Sequence, residues 1–277
     1  MIQTMKFNNL IMGTLESGYL FGDLTGLGSP SLKVDIKERG STNGADLGVK
    51  LYGRRVIGIN MMILGQNPAD YELKRRALEL ACDIIGGLKR LEITTRGGLL
   101  VHTDVIPTAE FDLPYKKGQL IFSDVRLELT APFPFFESPT TNSNKITFFS
   151  GGGFEIDWEI DLDMSNGGTI LQNITNNGNT YSYPTIILNG QIEDATLTNE
   201  TNGESFSLDY NLADGSQIVI DTYNRTILLN GTTNIREYFS GDWIKLNPGS
   251  NGIKLNATSN GVNASVFVNF KDTYLGI

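Results

Sequence analysis

The 277-residue sequence predicts a mostly β protein with one prominent helix, divided into two domains. Three observations predict it. Apolar and polar residues alternate over many short segments, the two-residue period of strands with one buried face. A single stretch, near residues 68–85, repeats its apolar residues at helical spacing. The composition also changes midway: residues 1–137 carry 16 Lys and Arg against 16 Asp and Glu, and residues 138–277 carry 6 against 15, so the net charge of −9 falls wholly in the second half. The length suffices for two ordinary cores.

In the first half, strands are expected at residues 6–12, 19–21 and 31–36, between glycine- and proline-bearing turns. From Arg55 to Leu64, Ile57, Ile59, Met61 and Ile63 alternate with Gly58, Asn60 and Met62, which puts four large apolar side chains on one face. Asn67-Pro68-Ala69-Asp70 then offers an N-cap, a proline at the first helical position and an acid at the positive helix end. In the helix that follows, Leu73, Ala77, Leu80 and Ile84 share one face and are expected to pack, Glu72 and Arg76 can pair, and Gly86-Gly87 is expected to end it. Residues 90–95, 99–106 and 119–130 read as further strands, with a hairpin arm at residues 111–118. The three prolines of Ala131–Ser143 mark the boundary between residues 1–137 and 138–277.

The second half is dense in Asn, Gly, Ser and Thr, which favour turns. Apolar runs recur between them, so about ten short strands are expected, among them residues 154–162, 183–188, 217–220, 243–246 and 264–270. That pattern is a β-sandwich or barrel.

With a pI near 4.7 and no basic stripe, the chain is not expected to bind nucleic acid or anionic membranes as its main task. The start has one lysine and no apolar core of signal-peptide length, and no run of 18 apolar residues occurs, so a soluble protein made in the cytoplasm is expected.

Few residues offer chemistry. Cys82 is the only cysteine and lies in the helical pattern, where a small buried apolar residue is the plain expectation. His102 is the only histidine; a Ser-His-Asp site would need a serine to converge on it, and no Gly-x-Ser-x-Gly elbow suggests one. Glu155, Asp157, Glu159, Asp161 and Asp163 alternate with Phe154, Ile156, Trp158, Ile160 and Leu162, giving a strand with five acids on one face. A glycosidase needs two carboxylates across a cleft, so this row reads as a solvated or edge-protecting face. Asp161-x-Asp163-x-Ser165 resembles the start of a calcium loop, but the glycine is one place late at Gly167 and position twelve is Gln172. Gly151-Gly152-Gly153 lacks the Lys-Ser/Thr of a phosphate loop and reads as a hairpin turn. Six Asn-x-Ser/Thr triplets, at Asn173, Asn199, Asn224, Asn230, Asn256 and Asn263, compare with four expected by chance from 20 Asn and 28 Ser and Thr in those 140 residues. Tyr181, Tyr183 and Trp243 are the aromatics available for a sugar platform, with Trp158 assigned to the core. No catalytic, cofactor-binding or metal-ligating residue is assigned, and no cofactor is expected.

The residues also carry a resemblance. Leu51-Tyr52-Gly53-Arg54-Arg55-Val56-Ile57-Gly58-Ile59, the apolar run ending in Gly65, and the helix from Tyr71 with Leu73, Arg75, Arg76 and Leu78 resemble the first domain of siphophage distal tail proteins. The linker APFPFF and the later YPTIILNG and GDWIKLNPGSNGIKL resemble that family's second domain. The resemblance implies a non-enzymatic virion protein of a bacteriophage with a long non-contractile tail. Its first domains would form a hexameric ring at the distal end of the tail tube, joined to the tube protein and to the tail-tip or baseplate protein. A galectin-like second domain would project outward for attachment, receptor-binding proteins included. The helix and the 111–118 arm are the expected contacts between subunits. The alternative is a carbohydrate-binding β-sandwich protein directed at a host cell-wall glycan or exopolysaccharide, and a hydrolase using Asp157 and Glu159 is the least supported reading.

Overall fold

The computed structural model describes residues 2–110, 113, 121–148, 170–261 and 263–277. The chain divides into two compact units, Met1–Pro139 with Tyr274–Ile277, and Thr140–Thr273. Both are built almost wholly of antiparallel strands, so the fold is mostly β, with a single α-helix among the described residues.

In the first unit the strands run β1 (Ile2–Phe7), β2 (Leu10–Met12), β3 (Tyr19–Thr25), β4 (Leu32–Glu38), β5 (Ala45–Tyr52) and β6 (Arg55–Leu64), then helix α1 (Pro68–Ala81), then β7 (Lys89–Thr95), β8 (Leu100–Pro107), β9 (Phe122–Ala131) and β10 (Phe136–Glu137). Seven of them are bonded in the order β2-β1-β7-β8-β9-β6-β3. The β8–β9 ladder holds only through Ile106–Thr130 and Pro107–Leu129, and there the two arms of the sheet part. Alternate residues of both arms meet in one core: Ile57, Ile59 and Ile63 from β6 and Leu127 and Leu129 from β9, with Phe7, Leu91 and Ile93 from the other arm. The alternation read from β6 is therefore its burial pattern, odd positions in and even positions out.

Helix α1 begins where the sequence predicts. The Asn67 side chain accepts the Asp70 N–H at 2.9 Å, and Asp70 accepts the Gln66 N–H and pairs with Lys74. Two expectations about it are corrected. The helix ends at Ala81, not near residue 85, because the Asp83 carboxylate takes the Ile85 N–H and turns the chain before Gly86-Gly87 is reached. The buried face is Tyr71, Arg75, Leu78 and Ala81, whereas Leu73, Ala77, Leu80 and Ile84 point to solvent. Glu72 accordingly lies 3.8 Å from Arg75, one position before the predicted partner. The apolar period was real, but it marks the outer stripe; the inner one mixes an aromatic ring and an arginine stem with Leu78 and so carries a weaker apolar signal.

β4 and β5 form a hairpin bonded only to each other. Only the first of these strands was foreseen. Every residue of β4, and every residue of β5 except Tyr52, is exposed.

In the second unit, six strands (Asn142–Thr147, Ser265–Phe270, Thr185–Asn189, Gln217–Asp221, Thr226–Leu229 and Thr233–Asn234) form one sheet. Five more (Ile170–Asn176, Gly249–Asn256, Ala195–Asn199, Ser205–Leu208 and Phe239–Gly241) form a second. Inward residues of both, such as Ile186, Leu188, Ile218 and Val266 against Leu197, Phe206, Ile253 and Leu255, share one core, which makes the unit a β-sandwich. The strand expected at residues 243–246 is not formed. That segment makes a single bridge, Leu246 with Ser182, and side-chain amides hold it instead: Asn199 donates to the Lys245 carbonyl at 2.8 Å and Asn176 to the Leu246 carbonyl at 3.2 Å. The acidic row at residues 155–163 and the turn at 151–153 lie outside the described residues, as does most of the 111–118 arm.

Candidate functional site

The groups singled out for chemistry are dispersed. His102 sits in β8, 2% exposed, with its Nε2 3.5 Å from a Glu137 carboxylate oxygen across the β8–β10 pairing. Cys82 is buried directly after α1, and burial pushes its thiol up to about 11, partly opposed by Lys89. A buried thiol so raised is held protonated at neutral pH. Among the described residues, no group of three or more His, Cys, Asp and Glu converges as a metal site would require. An open groove of about 590 Å³ crosses β3, β6 and β9, but its titratable groups are Asp124 and Arg126, a carboxylate beside a cation rather than an acid–base pair.

The least expected buried group is Arg55. Its position is legible in parity: it precedes Ile57, Ile59, Met61 and Ile63 by even steps and so faces the core. The side chain is 0% exposed, and each of its three nitrogens donates to at least one backbone carbonyl. Nε reaches Pro134 at 2.7 Å, Nη1 reaches Gly26 at 2.7 Å and Gly28 at 2.6 Å, and Nη2 reaches Leu275 at 2.6 Å. The guanidinium also lies over the Phe136 ring, 4.2 Å from its centroid. Burial lowers its pKa to about 10, so it stays charged at neutral pH. One cation thus ties the loop after β3, the segment after β9 and the chain's last residues, a structural clamp and not a catalytic group.

In the second unit the aromatics pack against one another. Phe239 stacks on Trp243 with centroids 4.4 Å apart, and the Arg236 guanidinium lies 5.4 Å from the same ring. Trp243 is therefore committed to stacking on Phe239 and to the neighbouring cation. Tyr183 is met edge-on by Tyr181 at 5.5 Å and Tyr223 at 5.2 Å. Burial and the neighbouring tyrosines raise its phenol above the ordinary range. Of the six triplets, Asn199 is 0% exposed and bonded through its amide, so it is no acceptor for a glycan.

What the first unit does present is apolar surface. In the β4–β5 hairpin, Leu32, Val34 and Ile36 of one strand and Leu47, Val49 and Leu51 of the other are exposed by 45–64%. Along α1 and the turn after it, Leu73, Leu80, Ile84, Ile85 and Leu88 are exposed by 53–91%. Single exposed aliphatics are ordinary, but contiguous rows of this size mark interaction surfaces. A hairpin standing on two strands alone is also marginal in water, which points to a partner. The hairpin had a sequence signal that was missed: alternation at Leu32, Val34 and Ile36, a turn through Arg39–Gly44, then alternation at Leu47, Val49 and Leu51.

Comparison with known proteins bears on these surfaces. Residues 177–274 match the family described as siphovirus-type tail component, C-terminal domain. The crystal structure of Dit from phage SPP1, described as a paradigm of hub adsorption apparatus in phages infecting Gram-positive bacteria, is similar over 98% of both chains, with a TM-score of 0.65 and 12% identity. A baseplate structure of phage p2 with Ca is similar over 97% of this chain and 98% of that one, with a TM-score of 0.49 and 11% identity. No curated protein sequence matches. The tail-component match over residues 177–274 and the Dit-like fold of the whole chain bear out the resemblance read from the sequence: the second unit matches the C-terminal domain of siphovirus-type tail components, and the chain as a whole has the fold of a siphophage distal tail protein.

Proposed function

We propose that the first unit assembles six copies into a ring at the distal end of a long non-contractile tail, an adaptor between the tail tube and the tail-tip or baseplate proteins. The second unit, a galectin-like sandwich, then serves as an outward attachment platform for neighbouring proteins. The observation that carries this reading is the pair of uncovered apolar surfaces on one unit, the hairpin and the outer stripe of α1. A monomer would gain nothing from keeping both in water, and an assembly buries them. The dispersal of His102, Cys82 and the described carboxylates supports a role without catalysis. The packing of Trp243 against Phe239 and Arg236 favours protein contacts over glycan contacts for the second unit.

Gold-labelled antibody against this chain, viewed on intact particles by negative-stain microscopy, should mark the distal tail end. Label along the tube or at the head end would contradict the reading.

A further inference from the structure

We infer that Asn43–Gly44, in the loop joining β4 to β5, is a site of spontaneous covalent modification, at which the asparagine converts to isoaspartate and aspartate. The reaction belongs to the chain itself and does not depend on the ring proposed above.

The chemistry needs only the two residues and water. The Gly44 backbone nitrogen bonds to the Asn43 side-chain carbonyl carbon and gives up its proton, and the amide nitrogen leaves as ammonia. Water then opens the cyclic imide at one carbonyl or the other. One opening leaves aspartate; the other leaves isoaspartate, with the main chain running through the side-chain carbon. Each conversion consumes one water and releases one ammonia. Glycine suits the following position because no Cβ obstructs ring closure. Two conditions decide whether a given Asn-Gly pair reacts: the glycine N–H must not be held in a hydrogen bond, and the asparagine amide must be free to swing against it.

The sequence holds eight Asn-Gly pairs, of which Asn166–Gly167 lies outside the described residues. In five of the others the glycine N–H is engaged. Gly178 donates to the Asn176 side chain at 2.9 Å, Gly190 to the Ser216 carbonyl at 3.1 Å and Gly203 to the Asn199 carbonyl at 2.8 Å. Gly252 donates to the Thr201 hydroxyl at 3.0 Å and Gly261 to the Gln191 carbonyl at 2.9 Å. At Asn230–Gly231 the asparagine is held instead, its side chain accepting the Gln217 N–H at 2.9 Å. Asn189 and Asn202 are doubly restrained, because their side chains also bond Gln217 and Glu204.

Asn43–Gly44 meets both conditions. Among the described residues neither the Asn43 amide nor the Gly44 N–H has a hydrogen-bond partner. Both residues are exposed, and a Cβ placed on Gly44 would meet nothing within 4 Å. The loop is closed by the Arg39 N–H donating to the Gly44 carbonyl at 3.1 Å, which leaves the attacking nitrogen unconstrained. Conversion adds one negative charge to a loop flanked by the Arg39–Asp46 ion pair, and isoaspartate also lengthens the main chain there by one carbon. Both changes loosen the closed end of the β4–β5 ladder.

The test incubates the folded full chain at pH 8, digests samples under acid conditions and maps each Asn-Gly peptide by mass spectrometry. The same peptides, excised first and incubated free, give the rates without structure. Asn43 in the folded chain should convert at close to its free-peptide rate. The pairs at Asn177, Asn189, Asn202, Asn230, Asn251 and Asn260 should lag their free peptides at least about tenfold, since each must first open locally. An Asn43 that lags as far as these would overturn the inference. The products give a second readout on the same samples. Isoaspartate and aspartate together, formed faster at pH 8 than at pH 6, are the expected result of ring closure by the Gly44 nitrogen. Aspartate alone would mean direct hydrolysis of the amide and would overturn the mechanism.

Discussion

Replacing Arg55 with Met tests the clamp that it forms in the first unit. The guanidinium donates to four carbonyls, of which Gly28 lies at an exposed residue and can turn to water, while Gly26, Pro134 and Leu275 are at half-buried ones. Each stranded carbonyl costs about 1 kcal/mol, and the lost stacking on Phe136 adds about 1 more. Relief of the guanidinium's burial returns about 1, leaving a net loss of about 3 kcal/mol. On a unit of this size that lowers the melting temperature by about 10 °C. Differential scanning calorimetry of the full chain should show it, with Arg55→Lys in between because an ammonium cannot span all four carbonyls. A loss under about 1 kcal/mol for Arg55→Met would refute the clamp.

Three further expectations follow from the same geometry. The Gln66 N–H, and then Lys74, hold the Asp70 carboxyl below its usual range; a depressed native pKa gives stability that is present above the unfolded value of 3.8 and lost as pH falls through the native one. Helicity followed by circular dichroism from pH 6 to 2 should therefore decline later in the parent than the loss caused outright by Asp70→Asn, and identical acid profiles would contradict this. Cys82 should label with a thiol reagent at pH 8 at least about a hundredfold more slowly in the native chain than in urea, since labelling requires the end of α1 to open, and equal rates would place the thiol at the surface. On a glycan array the full chain should bind nothing through Trp243: retained binding after Trp243→Ala would place any sugar site elsewhere, and binding abolished without loss of fold would favour the carbohydrate reading.

Much of this was legible in the residues. The β6 alternation and the Asn67–Pro68 helix start are local signals, and local geometry obeys them. The face of α1 was not legible, because apolar spacing reports that a stripe will be covered but not by what; an intramolecular core was the natural expectation, and the stripe faces outward instead. The hairpin escaped for the related reason that its apolar rows alternate like any strand while belonging to no sheet of the unit. Residues 243–246 alternate too, yet distant amides at Asn176 and Asn199 hold them off the ladder, a tertiary effect that no window of sequence contains. Arg55 lay in plain parity, but which carbonyls it would gather, from Gly26 to Leu275, depends on the whole unit.

The account stands on the first unit being an assembly surface. Native mass spectrometry of the full chain, over a concentration series at moderate ionic strength, tests that most directly. A single closed species of six copies is the predicted result, and a strictly monomeric chain at the highest concentration would contradict it.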